Sequence, residues 1–143
     1  KGLGAPVGSV VCGNHDFIAE ARRARKILGG GMRQAGVLAA AGIVALNKMV
    51  DRLADDHANA RKLAEGLAEM PGVSIDPSQI HTNIVYFEIN RKDLTVEELV
   101  KRLGDNGARM LPVGPGRIRA VTHYHISSDD IDYVLGVFEK VLN

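Results

Sequence analysis

The sequence predicts an α/β chain in two parts: a helix-rich part over residues 1–72 and a small α+β unit over residues 73–143. Three observations lead there. Leu53, His57, Ala60, Ala64 and Leu67 recur at helical spacing and predict a long amphipathic helix from Asp51 to Met70, ended by Pro71-Gly72. Beyond it, Ile84, Tyr86 and Glu88 alternate with Val85, Phe87 and Ile89, the period of a strand with one face buried. Thr95-Val96-Glu97-Glu98 then has the spacing of a capping box and opens a further helix.

Taken in order, Pro6 to Val11 reads as a short buried strand leading away from Lys1, broken by Gly13. Asn14 suits an N-cap, and the helix it starts is expected to run to about Leu28. Phe17, Ile18, Ala21, Ala24 and Leu28 share one face of it, and Arg22, Arg23, Arg25 and Lys26 occupy the other. Gly29-Gly30-Gly31 stops that helix and allows a sharp reversal of the chain. A second helix is expected from about Met32 to Met49. Its Ala35, Gly36, Ala39, Ala40, Ala41, Gly42 and Ala45 place small residues on every side, as in a helix buried against other elements or a partner. After the bridging helix come an extended segment at Val73 to Ile75, the strand from Asn83 to Ile89 and a helix from Thr95 to about Leu103. Strands at Ala108 to Pro112 and Arg117 to Tyr124 follow, separated by Gly114-Pro115-Gly116. A last helix is capped by Ser127 or Ser128, with Ile131, Val134, Leu135, Phe138 and Leu142 on its inner face. Strands with two helices on one face make a plausible small domain.

Composition narrows the function classes. At 45% hydrophobic the chain can build a core, but aromatics are only 4%, so that core is mostly Ala, Leu, Val and Ile. A formal net charge of +1, with acids and bases interspersed, argues against a nucleic-acid or membrane-surface partner. The one cysteine, Cys12, follows an apolar run and reads as a buried small residue rather than a nucleophile. No run of about 18 or more apolar residues and no signal peptide is visible, so a cytoplasmic location is expected. His15, His81 and His125 make no ligand spacing with a cysteine or carboxylate, and no metal site is expected.

Four segments carry chemistry. Lys1-Gly2-Leu3-Gly4-Ala5-Pro6-Val7-Gly8-Ser9 sets a lysine before a glycine-rich loop. Gly29 to Gln34 reads G-G-G-M-R-Q, Asp55 to Ala60 reads D-D-H-A-N-A, and Arg119 to His123 reads R-A-V-T-H. Their wording and order resemble the low-specificity threonine aldolases, enzymes of fold-type I that use pyridoxal 5'-phosphate (PLP). Ala24 departs from the family's frequent aromatic residue, and the segment after His123 varies. The resemblance implies the C-terminal part of a PLP-binding, aspartate aminotransferase-like large domain, residues 1–72 with the bridging helix, followed by a small C-terminal domain, residues 73–143. It implies cleavage of L-threonine or L-allo-threonine to glycine and acetaldehyde, and a homodimer or homotetramer completed by an upstream N-terminal half.

The same resemblance gives residues their roles. Lys1 would be the Schiff-base lysine, where a neutral amine meets the cofactor aldehyde. Arg119 would grip the substrate carboxylate, a geometry that suits a planar guanidinium. Arg117, two residues earlier on the same side of the strand, is its competitor, and an internal acid its alternative partner. Lys26 and Arg33 flank the glycine run and could reach the cofactor phosphate or the substrate carboxylate; Arg33 is expected at a helix start, where backbone N–H groups also favour anions. His57, on the apolar face of the bridging helix, reads as structural, and His123 as a support for Arg119 or its strand. The catalytic base, the ring-stacking residue and the acid that pairs with the pyridine nitrogen are expected upstream. Two other readings stay open: a different fold-type I enzyme, such as a β-eliminating lyase or a serine hydroxymethyltransferase, and a non-enzymatic α+β binding module.

Overall fold

A computed structural model describes residues 2–143. Lys1, and with it the predicted cofactor lysine, lies outside the described residues. The chain divides between Val50 and Asp51 into two units.

The first unit holds two helices. Helix α1, His15–Ile27, is capped by Asn14, whose side chain accepts from the Phe17 N–H at 2.9 Å. Asp16 sits in its first turn and Lys26 in its last, each matching the helix dipole. Helix α2, Gly36–Lys48, starts four residues later than predicted. Gln34 adopts a positive φ of 52°, so the chain cannot yet be helical there. The expected strand at Pro6 to Val11 does not form: this stretch is bend and coil. A strand needs a neighbour for its backbone groups, and Val7, Val10 and Val11 are 51%, 83% and 62% exposed. Among the described residues of α1 and α2 only Ala45 is buried, so the small-residue faces of α2 are largely uncovered. Cys12, read from sequence as buried, is exposed for the same reason.

The second unit has its own core. Helix α3, Leu53–Ala68, leads into β1, Val73–Ser74, and a 3-10 turn at Pro77–Gln79. Strand β2, Ile84–Ile89, is followed by α4, Val96–Asp105, then β3, Leu111–Pro112, β4, Arg117–Val121, and α5, Ser128–Leu142. The sheet is antiparallel throughout, in the order β1-β2-β4-β3. Both strands predicted near the C-terminus are shorter than expected. β3 is limited to Leu111 and Pro112, the two residues that pair with β4, and β4 ends at Val121, since the next carbonyl, that of Thr122, accepts from the Asn83 side chain.

Val85, Phe87 and Ile89 of β2 and Ile118 and Ala120 of β4 point to one face, where α3, α4 and α5 cover them. Phe87 meets Phe138 of α5 edge to face, with ring centroids 5.7 Å apart. Two helices were expected on this face. The third is α3, which buries Ala60, Leu63, Ala64 and Leu67 in the same core. Burying one such side chain contributes roughly 1.5–3 kcal/mol. This is why the contacts of α3 place it with the second unit. Thr95 caps α4 through the Glu98 N–H, and Ser127 with Asp130 forms a complete capping box on α5.

Candidate active-site arginine on an open sheet face

The other face of the sheet carries no helix of this unit. Ile84, Tyr86 and Val121 are about 40% exposed there (39%, 39% and 40%), beside Glu88, Arg117 and Arg119. The two-residue period of β4 puts Arg117 and Arg119 on this face together, as the sequence predicts. Register adds what the sequence could not. Tyr86 of β2 lies directly opposite Arg119, and Leu111 of β3 flanks it on the other side.

The two arginines are then distinguished by their partners. The Arg117 guanidinium rests over the Tyr86 ring, 4.5 Å from its centroid. Arg119 is half-buried, and its Nε is buried with no hydrogen-bond partner. Among the described residues it makes no ion pair, so the internal acid considered as its alternative partner is absent. An unsatisfied buried donor costs roughly 1–3 kcal/mol, more when charged. Such a group on an otherwise accessible face fits an arginine that a ligand carboxylate completes.

The strand bearing Arg119 is tied to α3 by groups that the sequence reading missed. The buried Thr122 hydroxyl donates to the Asp56 carbonyl at 2.7 Å, and Asn83 Nδ2 donates to the Thr122 carbonyl at 2.8 Å. The Asp56 side chain is fully buried and takes both terminal nitrogens of Arg52, one of them at 3.0 Å. That pairing raises the Arg52 guanidinium above its ordinary pKa, chiefly through the hydrogen bonds it donates to Asp56. Asn59 Nδ2 donates to the Ile126 carbonyl at 2.8 Å and holds the loop after β4. The clue lay in the D-D-H-A-N-A segment. Ala60, Ala64 and Leu67 are buried as expected, Asp56, Asn59 and Leu63 join them, and Leu53 and His57 are only half-buried beside them. His123 is exposed and accepts from the His125 N–H at 3.3 Å, so it organises its own loop, and Thr122 anchors the strand.

Between α3 and this loop lies an open cleft of about 530 Å³, lined by Arg52, Asn59, Lys62, Tyr124 and Ser128. Its cations are already committed: Arg52 to Asp56, and Lys62 to Asp132 at 2.6 Å and Ser128 at 2.7 Å. Arg119 does not line it. Among the described residues no cluster of His, Cys, Asp and Glu could hold a metal ion.

In the first unit Lys26 and Arg33 are both exposed and form no ion pair among the described residues. Arg33 does not stand at a helix start, as expected from sequence, but in the turn before Gly36. The loop after Lys1 has positive φ at Gly4 and Gly8, 81° and 123°, conformations that favour glycine. A Cβ built at Gly2 or Gly8 meets no atom within 4 Å, so no neighbour crowds the backbone at these two positions.

The fold is that of PLP-dependent fold-type I enzymes. A PLP-dependent aminotransferase from Streptococcus suis superposes with a TM-score of 0.64 at 16% identity, over 90% of this chain and 35% of that one. The cystine C-S lyase C-DES superposes at 0.61 with 21% identity, over 76% of this chain and 28% of that one. Residues 1–90 match the family described as beta-eliminating lyase, and the chain belongs to that family. Among curated relatives, an Arabidopsis thaliana protein named "Probable low-specificity L-threonine aldolase 2" is 48% identical over 100% of this chain and 41% of its own length. The low specificity L-threonine aldolase of Escherichia coli K12 is 41% identical over 92% of this chain and 37% of its own. The chain thus spans about two fifths of the length of the curated relatives it matches.

Proposed function

We propose that this chain belongs to a PLP-dependent aldolase that cleaves L-threonine and L-allo-threonine to glycine and acetaldehyde, and that it supplies the cofactor lysine and the carboxylate-binding arginine. The observation that carries this is Arg119, a guanidinium with a buried, unpartnered Nε on an open sheet face. Its support in sequence is the likeness to proteins named threonine aldolase.

Lys1 would hold PLP through its aldehyde, and Arg33 and Lys26 would stand toward its phosphate and the substrate carboxylate respectively. When bound, PLP supplies an electron sink for the pair released from the breaking carbon–carbon bond. Arg119 takes the substrate carboxylate through parallel N–H···O bonds and so sets which bond at Cα faces the sink. The bond that breaks is Cα–Cβ: the β-hydroxyl loses its proton, Cβ leaves as the aldehyde carbonyl, and Cα takes up a proton to give glycine. The base for that proton, the ring-stacking residue and the acid for the pyridine nitrogen belong to the upstream half of the whole enzyme. We place its large and small domains on either side of residues 71–73, and its assembly as a homodimer or homotetramer. Exposed Val37, Ile43, Val44 and Leu46 on α2 give the upstream half or a partner subunit an apolar face to cover. A free, exposed Cys12 suits a reducing compartment, the cytoplasm.

The test uses the full-length enzyme. Borohydride reduction followed by mass spectrometry is expected to leave a pyridoxyl group on Lys1. Arg119→Ala is expected to raise KM for threonine roughly 10- to 100-fold, the size of a lost charge-assisted pair. An unmodified Lys1, or an unchanged KM, overturns the assignment. Pyruvate and ammonia as products, in place of glycine and acetaldehyde, would move the chemistry to β-elimination.

A further inference from the structure

Two arginines share the open sheet face, yet only one is free. On the proposed reading of Arg119 as the carboxylate grip, something has to keep Arg117 from the same carboxylate. A second mobile guanidinium two residues away could bind that group in an unproductive orientation and would repel Arg119. The structure offers one side chain for the task. Tyr86 stands directly opposite Arg119 in the ladder, and the Arg117 guanidinium rests on its ring, 4.5 Å from the centroid. Cross-strand neighbours on one sheet face have Cβ atoms roughly 4.5–5.5 Å apart, so the Tyr86 side chain rises from the sheet beside that of Arg119. Among the described residues no carboxylate holds Arg117 elsewhere. Glu88 is its register partner, but the two form no ion pair.

We infer that Tyr86 is a positioning residue for substrate binding: its ring face parks Arg117 and leaves Arg119 alone to take the carboxylate. The phenol is not required, because the attraction is between a cation and the face of the ring. The device therefore acts on the affinity for a carboxylate and not on the bond-breaking step.

The experiment is steady-state kinetics of the full-length holoenzyme with threonine and with threonine amide, which lacks the carboxylate. Tyr86→Leu keeps an apolar side chain of strand-compatible bulk but removes the ring. It is expected to raise KM for threonine about two- to fivefold, the size of an exposed cation–π contact, with kcat and the kinetics of the amide little changed. Tyr86→Phe is expected to restore KM. The decisive variant is Tyr86→Leu with Arg117→Ala, where removal of the released guanidinium brings KM back toward the starting value. An unchanged KM in Tyr86→Leu overturns the inference. So does a raised KM that Arg117→Ala does not correct, since Tyr86 would then be only a wall. Failure of the carboxylate reading itself shows separately, as an unchanged KM in Arg119→Ala.

Discussion

Replacing Arg52 by Ala removes both hydrogen bonds to Asp56 and leaves a carboxylate of 0% side-chain exposure without its cation. Removing one partner of a buried pair costs about 3–5 kcal/mol, because the remaining charge has lost both water and counter-charge. The Arg52 side chain is itself 22% exposed, so solvent reaches part of the vacated space. The low end, about 3 kcal/mol, is therefore expected. The loss falls on α3 and β4, which Asp56 and Thr122 join. Hydrogen exchange of the full-length enzyme, resolved by peptide, reads it as a fall of that size in the opening free energy of residues 53–68 and 117–121. A control separates the pair from the fold. Arg52→Met with Asp56→Leu leaves no buried charge and is expected to stay within about 1 kcal/mol of the parent. A loss below about 1 kcal/mol in Arg52→Ala, or a double variant as unstable as the single, would refute the claim that Arg52 compensates a buried Asp56.

Two further outcomes follow from local geometry. Gln34 sits at a φ of 52°, where a side chain costs about 1–2 kcal/mol, partly offset by the chain entropy of glycine, so Gln34→Gly is expected to raise stability by roughly 0.5–1 kcal/mol. A lower urea midpoint would instead assign the Gln34 side chain a stabilising contact. Asp130 is held below the usual carboxylate range by the Ser127 hydroxyl and N–H. A depressed folded pKa gives stability that is present above the unfolded value of about 3.9 and lost as pH falls through the folded one. The urea midpoint of Asp130→Asn should thus lie below that of the parent near pH 6 and converge on it as pH falls from about 4 through the lower folded pKa; a gap independent of pH would contradict the capping assignment.

Much of this molecule is legible locally. The helices at His15, Leu53, Val96 and Ser128 declare themselves through period and caps, since Asn14, Thr95 and Ser127 each accept a hydrogen bond within three residues along the chain. The alternation of β2 reads directly as one buried and one open face. Local signals failed where an element depends on a distant partner. Pro6 to Val11 has the composition of a strand and no strand beside it among the described residues, and β3 is cut to two residues at a sheet edge.

The sequence by itself determined the caps, the strand period and the likeness that singles out Lys1, Lys26, Arg33 and Arg119, because each of these is written within a few adjacent residues. Only the tertiary structure decided that Asp56, and not His57, lies inward on α3, and which arginine of β4 lacks a partner among the described residues. Asp56 lies inward because Arg52 and the strand at Thr122 meet it there, and Arg117 is occupied because strand register sets Tyr86 beside it. Those pairings join residues tens of positions apart, and no periodicity encodes a register between two strands.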